Sequence, residues 1–337
     1  MPDTRRIEVV EYLRGVACLA VAWFHLTNGY EFGAAAVSGS YGWLGVDVFF
    51  VISGFIVPYS LASARQHYSI HSILWFLARR VIRLEPPYLA SVVLTLVLLQ
   101  LSSAMPWFKG EEPHFDSLQI ASHLFYFVPI TGHRWLQPVY WTLGYEFIFY
   151  IVIGLSYWIL SGIRSPIVWL LASAATIVGA LSGYLPALSL LFVMGVALFR
   201  GFVGIENFLV SVAVTMCCGL AIAYSSGIES AVVGLATFAI ISLGEHAELR
   251  NGLGKVLLFL GAISYSLYLT HVPIGGRIVN LGTRFVEGPA QEFFLSILAL
   301  AISIAFAWIF YAIIERPAIE LSRRLALRRY VFEPLAH

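Results

Sequence analysis

An arginine and a histidine lie within one apolar stretch near the start of the chain. Arg14 and His25 occur in EYLRGVACLAVAWFH, residues 11–25, which otherwise has the composition of a membrane helix. Ionisable side chains are costly inside a bilayer, so they usually mark a functional site there. Histidine can take up and release a proton near neutral pH. The stretch therefore indicates proton-transfer chemistry within a membrane helix.

Three more ionisable residues occur in apolar stretches. They are Asp47 in GWLGVDVFF, Glu146 in YWTLGYEFIFY and His271 in SYSLYLTHVPI. At a helical rise of about 1.5 Å per residue, all three and His25 lie within about 10 Å of the same membrane face. A histidine beside a carboxylate can act as a general base, so His25 with Glu146 or Asp47 is a candidate catalytic group. Alternatively, Asp47 caps or stabilises its helix, and the His271 side chain extends to the outer membrane–water interface.

A second candidate site is basic and lies in FLARRVIRLEPPY, residues 76–88. Arg79 and Arg83 are four residues apart, so on a helix they share one face. Two guanidinium groups on one face can bind a phosphate or a carboxylate. The alternative is that they are ordinary basic residues beside a membrane helix, which set its orientation and contact anionic lipid. Arg14, near the same side, could likewise extend its side chain to the interface.

The composition is that of a membrane protein that crosses the bilayer many times. Of 337 residues, 59% are hydrophobic and 12% are charged, whereas about a quarter of the residues are charged in soluble domains. The net charge of +1 gives no reason to expect a nucleic-acid partner. The three cysteines form no disulfide or metal-binding spacing, and we expect no metal. No small-residue cleavage site follows the first apolar run, so we expect a retained helix.

A membrane helix needs about 20 apolar residues, and this criterion predicts an all-α bundle of about ten transmembrane helices. The expected spans are 9–29, 43–62, 87–104, 139–160, 166–182, 185–200, 208–224, 229–243, 256–274 and 291–314. The stretch 119–130 is too short and too polar to span, and we expect it to be interfacial or re-entrant. We expect a single domain over residues 1–337, with a core at about 7–320 and a basic cytoplasmic tail at 321–337.

The distribution of basic residues predicts that both termini are cytoplasmic, because cytoplasmic segments are enriched in Lys and Arg. With that orientation, fifteen of the twenty basic residues are cytoplasmic, and Arg14 lies within the first span. The fifteen are Arg5, Arg6, Arg65, Arg79, Arg80, Arg83, Arg164, Arg200, Arg250, Lys255, Arg316, Arg323, Arg324, Arg328 and Arg329. The opposite side holds Lys109, Arg134, Arg277 and Arg284.

Six segments together resemble acyltransferase family 3. They are EYLRGVACLAVAWFH, GWLGVDVFFVISGFIV, FLARRVIRLEPPY, YWTLGYEFIFY, ISYSLYLTHVPI and IERPA, in the order and spacing of that family. Its members are bacterial integral-membrane enzymes that acylate polysaccharides, O-antigen, Nod factors and some small molecules. The resemblance implies ten core helices in the bacterial cytoplasmic (inner) membrane. It also implies an acyl-CoA donor, usually acetyl-CoA, on the cytoplasmic side and an acceptor on the outer side.

The resemblance also assigns roles to individual residues. It implies that His25 is essential, that Arg14 matches the arginine of the same helix, and that Arg79 and Arg83 serve the donor. Glu146 matches the glutamate of a motif that here contains Trp141, Thr142 and Leu143, and Ser53, Gly54 and Phe55 match a serine-glycine-phenylalanine element. Phe147 stands where many O-antigen acetylases have a second acidic residue. This variant is more similar to the exopolysaccharide and Nod-factor branch of the family, which leaves the acceptor open.

These observations lead us to expect a membrane O-acyltransferase. His25, oriented by Glu146 or Asp47, would deprotonate an acceptor hydroxyl, which then attacks the thioester. We expect this attack to be direct, because the sequence offers no evident serine or cysteine nucleophile for an acyl-enzyme intermediate. Further substrate contacts are expected from Ser53, Trp141, Tyr268 and His271. The expected partners are acyl-CoA, a glycan or lipid-linked saccharide, and membrane lipid.

The alternative is a proton-coupled transporter or flippase of a lipid-linked sugar, for which intramembrane charges would also be suitable. The motif pattern contains no inverted repeat, which disfavours a transporter. A purely structural membrane subunit is a third reading, against which the polar residues at similar depth argue.

Overall fold

The computed structural model describes residues 7–63, 70–105, 115–162, 166–244, 249 and 252–332. All regular secondary structure in these residues is helical, which confirms the all-α prediction. The basic residues Arg5, Arg6, Arg65, Lys109, Arg164 and Arg250 of the charge count, and residues 333–337 of the predicted tail, lie outside the described part.

The α-helices follow one another with short connections. They are α1 (Glu8–Thr27), α2 (Gly33–Gly39), α3 (Gly45–Ser63), α4 (Ile70–Ser103), α5 (Ser117–Leu124), α6 (Val128–Thr131), α7 (Tyr140–Gly162), α8 (Pro166–Leu181), α9 (Leu188–Phe202), α10 (Phe208–Ser225), α11 (Ile228–Leu243), α12 (Gly252–His271), α13 (Arg277–Gly282), α14 (Pro289–Phe310) and α15 (Arg316–Phe332). A 3₁₀ turn, Gly42–Leu44, precedes α3. One π-helical segment, Val272–Gly276, joins α12 to α13, and another, Tyr311–Glu315, joins α14 to α15.

Six helical runs among the described residues are long and apolar enough to cross a membrane. They are Glu8–Thr27, Gly33–Ala62, His71–Ser103, Phe208–Ser225, Gly252–Gly282 and Pro289–Arg324. Three shorter apolar helices are Ile167–Leu181, Leu188–Phe202 and Ile228–Leu243. The chain is therefore an all-helical membrane protein, while the count of ten spans stays a prediction.

Helix boundaries differ from the sequence-based ones at two places. α4 begins at Ile70, well before the predicted start at 87, and passes through Pro86 and Pro87 without interruption. The C-terminal helical run continues past the predicted span end at 314, through α15 to Phe332, and the cytoplasmic position of the residues after 320 stays a prediction. The stretch 119–130 contains parts of α5 and α6. These helices have 8 and 4 residues and are too short to span a membrane.

The chain divides into two compact units, of which the first contains residues 1–24, 40–76 and 148–264. Its buried apolar cluster is drawn from α1, α3, α9 and α11 and includes Val9, Val10, Tyr12, Ile52, Phe55, Leu198, Phe199, Phe238 and Ile241. α3 crosses α9 at Gly54 and Gly195, where an added Cβ on either residue would collide with the backbone of the other helix. Small residues permit such close helix packing in membranes. The glycine of the predicted serine-glycine-phenylalanine element therefore has a packing role.

A buried ion pair lies at the end of α9 in this unit. Arg200 is fully buried, and its Nε lies 3.2 Å from an Oε2 oxygen of Glu206. Ser211 donates a hydrogen bond to the other carboxylate oxygen, and the guanidinium lies 5.2 Å from the centre of the Trp169 ring. Arg200 therefore has a structural role in addition to its place in the charge count.

The second unit contains residues 25–39, 77–147 and 265–337. Here Glu315, in the π-helical segment before α15, is buried, and its Oε2 accepts hydrogen bonds from the backbone N–H and the hydroxyl of Ser266 on α12. These bonds connect the C-terminal helices to α12. α12 carries His271 and Tyr268 of the candidate site.

Candidate active site

Two histidines from different helices form the centre of a polar cluster in the second unit. His25 lies near the end of α1, and His271 is the last residue of α12. The Nδ1 atom of His25 lies 3.3 Å from the Nε2 atom of His271, and the ring centroids are 5.2 Å apart. His271 is fully buried, whereas His25 is half-buried. The structure thus brings together two residues that the sequence placed only at similar depth.

The hydrogen bonds of His271 determine which nitrogen of His25 carries a proton. The Nδ1 of His271 lies 2.8 Å from the carbonyl oxygen of Leu267, which can only accept, so this Nδ1 carries the hydrogen. In the neutral ring, Nε2 of His271 is then an acceptor, and it receives the Nδ1–H of His25. The Nε2 atom of His25 consequently holds the lone pair, as a general base requires.

Close helix packing holds this pair in position. Gly275, in the π-helical segment after His271, lies against Leu26 of α1 and Ser303 of α14. A Cβ atom on Gly275 would lie 2.7 Å from a Leu26 methyl carbon and would also collide with the Ser303 hydroxyl. π-helical insertions often occur at functional sites, and this one begins directly after His271.

The start of α7 contributes the next polar group. The hydroxyls of Thr142 and Tyr268 are 2.7 Å apart, and the Tyr268 ring lies 6.1 Å from that of His271. Glu146 is half-buried and follows Thr142 by four residues, so both residues lie on one face of α7. The motif residue Thr142 therefore has a defined partner on α12, whereas pairing of His25 with Glu146 stays a prediction.

A tyrosine that the sequence did not single out lies beside Glu146. Tyr126 forms a side-chain hydrogen bond with Glu85, and its pKa is raised by burial and by the charge of Glu85, with a smaller contribution from Glu146. Its ring stacks on Tyr88 at 5.0 Å and on Phe147 at 5.3 Å. Tyr126 has φ of 56°, a left-handed conformation that is unusual for a bulky residue. Strained backbone of this kind is concentrated at functional sites.

The candidate donor arginines lie on a single continuous helix. Arg79 and Arg83 are both half-buried on α4, upstream of the two prolines. Ser322 of α15 donates a hydrogen bond to the Arg79 carbonyl at 3.0 Å, and Tyr265 of α12 donates one to the Leu84 carbonyl at 3.0 Å. α12 and α15 therefore fix the part of α4 that presents these arginines.

Comparison with known proteins decides the family. A family model described as an acyltransferase domain matches residues 7–312. The chain belongs to acyltransferase family 3. This result confirms the resemblance seen in the six sequence segments.

Two curated relatives from bacteria are similar to this family member over most of its length. The O-acetyltransferase OatA of Staphylococcus aureus (strain NCTC 8325 / PS 47) is 26% identical, and the match covers 99% of this chain and 60% of that protein. The exopolysaccharide production protein ExoZ of Rhizobium meliloti (strain 1021) is 29% identical, over 87% of this chain and 95% of that protein. This chain thus spans less than two thirds of the length of the Staphylococcus relative. No solved structure matches the chain significantly.

Three other predicted residues of this family member belong to the first compact unit. Arg14 lies 3.7 Å from the Glu11 carboxylate, one turn earlier on α1. Asp47 is buried on α3 and shares a hydrogen bond with Ser230, while its Oδ2 atom has no hydrogen-bond partner among the described residues. Ser53 is half-buried on the same helix. The roles proposed for these residues in donor binding, catalysis and substrate contact remain predictions.

Trp141 directly precedes Thr142 on α7, and its ring contacts that of Tyr145 on the same helix. Its ring lies 5.7 Å from that of Tyr145 in an edge-to-face arrangement. The weak prediction of a substrate contact by Trp141 is not tested by this packing. Tyr268, the other aromatic residue in that group, lies within the cluster itself.

His123, a buried histidine outside the motifs, has a structural role. His123 of α5 is fully buried, and its Nδ1 donates to the Gln119 carbonyl at 2.9 Å. Its Nε2 accepts the backbone N–H of Leu136 at 3.0 Å. Burial lowers the pKa of His123, which keeps the ring neutral. Both ring nitrogens are occupied by backbone groups, so His123 connects α5 to the segment around Leu136.

The described residues contain no cluster of three or more histidine, cysteine or acidic side chains that could hold a metal ion. The polar cluster around His25 and His271 instead offers an imidazole pair, with carboxylates and tyrosines in the same unit. Such groups can accept a proton from a hydroxyl and stabilise the charge that follows.

Proposed function

We propose that the protein is an O-acyltransferase that moves an acyl group, with acetyl as the first candidate, from acyl-CoA to a hydroxyl of a carbohydrate acceptor. The observation that carries the proposal is the contact between the imidazoles of His25 and His271. When both rings are neutral, this contact leaves the lone pair on Nε2 of His25. The printed descriptions of the two relatives, O-acetyl transfer and exopolysaccharide production, support the acyl group and the acceptor class.

The proposed reaction is a direct transfer. His25 Nε2 removes the proton of the acceptor hydroxyl as its oxygen attacks the thioester carbonyl. The tetrahedral intermediate then collapses, the carbon–sulfur bond breaks, and the proton on His25 passes to the departing CoA sulfur. The products are an O-acyl ester and free CoA. Glu146, or Asp47, is the proposed carboxylate that stabilises the imidazolium in the transition state.

The donor is proposed to bind at the arginines. Arg79 and Arg83 have the charge and spacing to bind the phosphates of CoA, and Arg14 is proposed to line the path of the pantetheine arm. With ten spans in the bacterial inner membrane and both termini in the cytoplasm, the donor would be cytoplasmic and the acceptor, a glycan or lipid-linked saccharide, extracytoplasmic. Ser53, Trp141, Tyr268 and His271 are proposed to contact the substrate.

The decisive experiment is an assay of the purified full chain in nanodiscs with acetyl-CoA and a panel of oligosaccharides, with free CoA and acylated product measured by mass spectrometry. We expect His25→Ala to abolish transfer, because α1 offers no other base at that depth, and Glu146→Gln to be similarly severe. His133→Ala is the control, since its side chain lies in a pair with Asp116 outside the cluster.

Product formation by a folded His25→Ala protein equal to that of the wild type would refute the mechanism. Saccharide movement across liposomes without any release of CoA would instead favour the transporter alternative.

A further inference from the structure

Arg277 is a half-buried arginine that the proposed reaction does not use. It is the first residue of α13 and follows the π-helical segment that begins after His271. Its Nε lies 3.4 Å from the hydroxyl of Ser102, one residue before the end of α4. Arg277 is therefore located near the C-terminal end of α4.

The side chain is held in place by neutral groups. Its Nη1 donates to the carbonyl of Pro273 at 2.9 Å, while the backbone N–H of Arg277 is directed to the carbonyl of Ile274. Both side-chain partners in the described part of the chain, the Ser102 hydroxyl and the Pro273 carbonyl, carry no charge. A guanidinium has five N–H donors, so this arrangement orients the group without neutralising it or using all of its donors.

An oriented cation without a charged partner is well suited to bind an anion. A positive charge in a membrane-spanning run is costly unless a counter-charge or a function compensates for it. The planar fork of arginine matches the paired oxygens of carboxylate and phosphate groups. The six residues from His271 to Arg277 correspond to about 9 Å along a helix, so a ligand at Arg277 can extend to the histidine pair.

We propose that Arg277 binds an oxyanion carried by the acceptor, so that the acceptor is an anionic saccharide. The oxyanion is either the phosphate of a lipid-linked saccharide or the carboxylate of an acidic sugar, which share the same chemistry. The anion fixes one end of the acceptor at Arg277 and places a hydroxyl beside Nε2 of His25. The inference rests on the proposed function, because it assumes that the acceptor reaches the histidine pair.

The test is a binding measurement that needs no acyl transfer. Full-length protein in detergent is titrated with farnesyl diphosphate and, separately, with a galacturonate trisaccharide, with farnesol and a neutral galactose trisaccharide as matched uncharged probes. Binding is followed by microscale thermophoresis for the wild type, Arg277→Gln, Arg277→Lys and Arg284→Gln. Arg284→Gln is the matched control, because Arg284 is an exposed arginine shortly after α13.

We expect at least one anionic probe to bind the wild type, Arg277→Gln to weaken that binding about tenfold or more, and Arg284→Gln to leave it unchanged. Arg277→Lys should retain part of the affinity, since it keeps the charge but loses the fork. Binding of the diphosphate alone identifies a lipid-linked acceptor, and binding of the galacturonate alone identifies an acidic sugar.

The proposal is overturned if neither anionic probe binds the wild type more tightly than its uncharged match. It is also overturned if Arg277→Lys and Arg277→Gln, both correctly folded, bind the anionic probe with the affinity of the wild type. Anion binding at Arg277 by a protein that transfers no acyl group would refute the proposed function while leaving the anion site in place.

Discussion

At the scale of single residues, the bond between two imidazoles decides which atom of His25 can act as a base. The chain of contacts runs from the Leu267 carbonyl through His271 to His25, and each step fixes one hydrogen. An enzyme more often uses a carboxylate for this purpose. A neutral histidine orients the ring equally well, but it adds no negative charge to stabilise the imidazolium. That task is left to a nearby carboxylate, for which Glu146 is our first candidate.

The role of His271 can be separated from simple packing by two substitutions. His271→Leu removes the acceptor, so we expect kcat to fall by about ten- to a hundredfold, as is typical for partners that orient a reactive group. His271→Gln can place an amide oxygen near the lost Nε2 and should recover part of kcat. The KM for acetyl-CoA should change little in either variant. The measurement is steady-state kinetics of CoA release with folded protein.

A loss of equal size in both variants would mean that the imidazole volume, and not its acceptor, matters. Wild-type kcat in His271→Leu would show that the tautomer of His25 is set elsewhere.

Sequence reasoning reached part of the cluster. Similar depth singled out His25 and His271, which are in contact, because depth follows from counting residues along a helix. The place of Glu146 beside them stays a prediction. It could not identify the direct contact of the two histidines, which depends on how two helices are rotated about their axes. Tyr126 was also missed, since its significance comes from a left-handed backbone and a two-sided ring stack that leave no sequence pattern.

At the scale of elements, α4 shows how tertiary contacts can override local propensity. Two adjacent prolines remove two backbone donors and usually end a helix, which explains the predicted start at 87. The helix nevertheless runs from Ile70 to Ser103, and α12 and α15 donate hydrogen bonds to carbonyls on either side of Arg83. The π-helical segments after His271 and before Arg316 were equally unpredictable, because they reflect packing of whole helices.

Because Arg79 and Arg83 lie on one continuous helix, we expect both to contribute to binding of the acyl-CoA donor. Arg79→Ala and Arg83→Ala should each raise the KM for acetyl-CoA about tenfold or more, since charge-assisted hydrogen bonds contribute about 1.5–3 kcal/mol. The KM for the acceptor should remain close to that of the wild type. Lysine at either position should restore only part of the affinity, because it cannot form a bidentate contact. The bond from Ser322 to the Arg79 backbone survives these changes.

Arg80→Ala is the matched control, because Arg80 adjoins Arg79 but points to another face of the helix. Equal rises in both KM values, or none, would indicate that the arginines serve topology or lipid contact.

At the scale of the whole molecule, composition predicted the class of the protein, while the orientation predicted from the charge bias stays a prediction. The all-helical membrane class follows from 12% charged residues and long apolar runs. The number of spans is harder to obtain, because α8, α9 and α11 are short helices of 15 to 16 residues and apolar length alone is ambiguous there. The charge count is also weakened by Arg200, whose charge is paired within the protein. Orientation is therefore the global property that most needs a direct measurement.

Single cysteines can report that orientation. Ser226, between α10 and α11, is exposed and is predicted to be extracytoplasmic, whereas Ala62, near the end of α3, is exposed and is predicted to be cytoplasmic. The exposed Cys217 is first replaced by serine, while the buried Cys18 and Cys218 remain. In intact cells, a membrane-impermeant maleimide should label Ser226→Cys and spare Ala62→Cys, and permeabilised cells should label both. The reverse pattern would place the donor arginines outside, where acyl-CoA is absent, and the two-sided reaction would lose its basis.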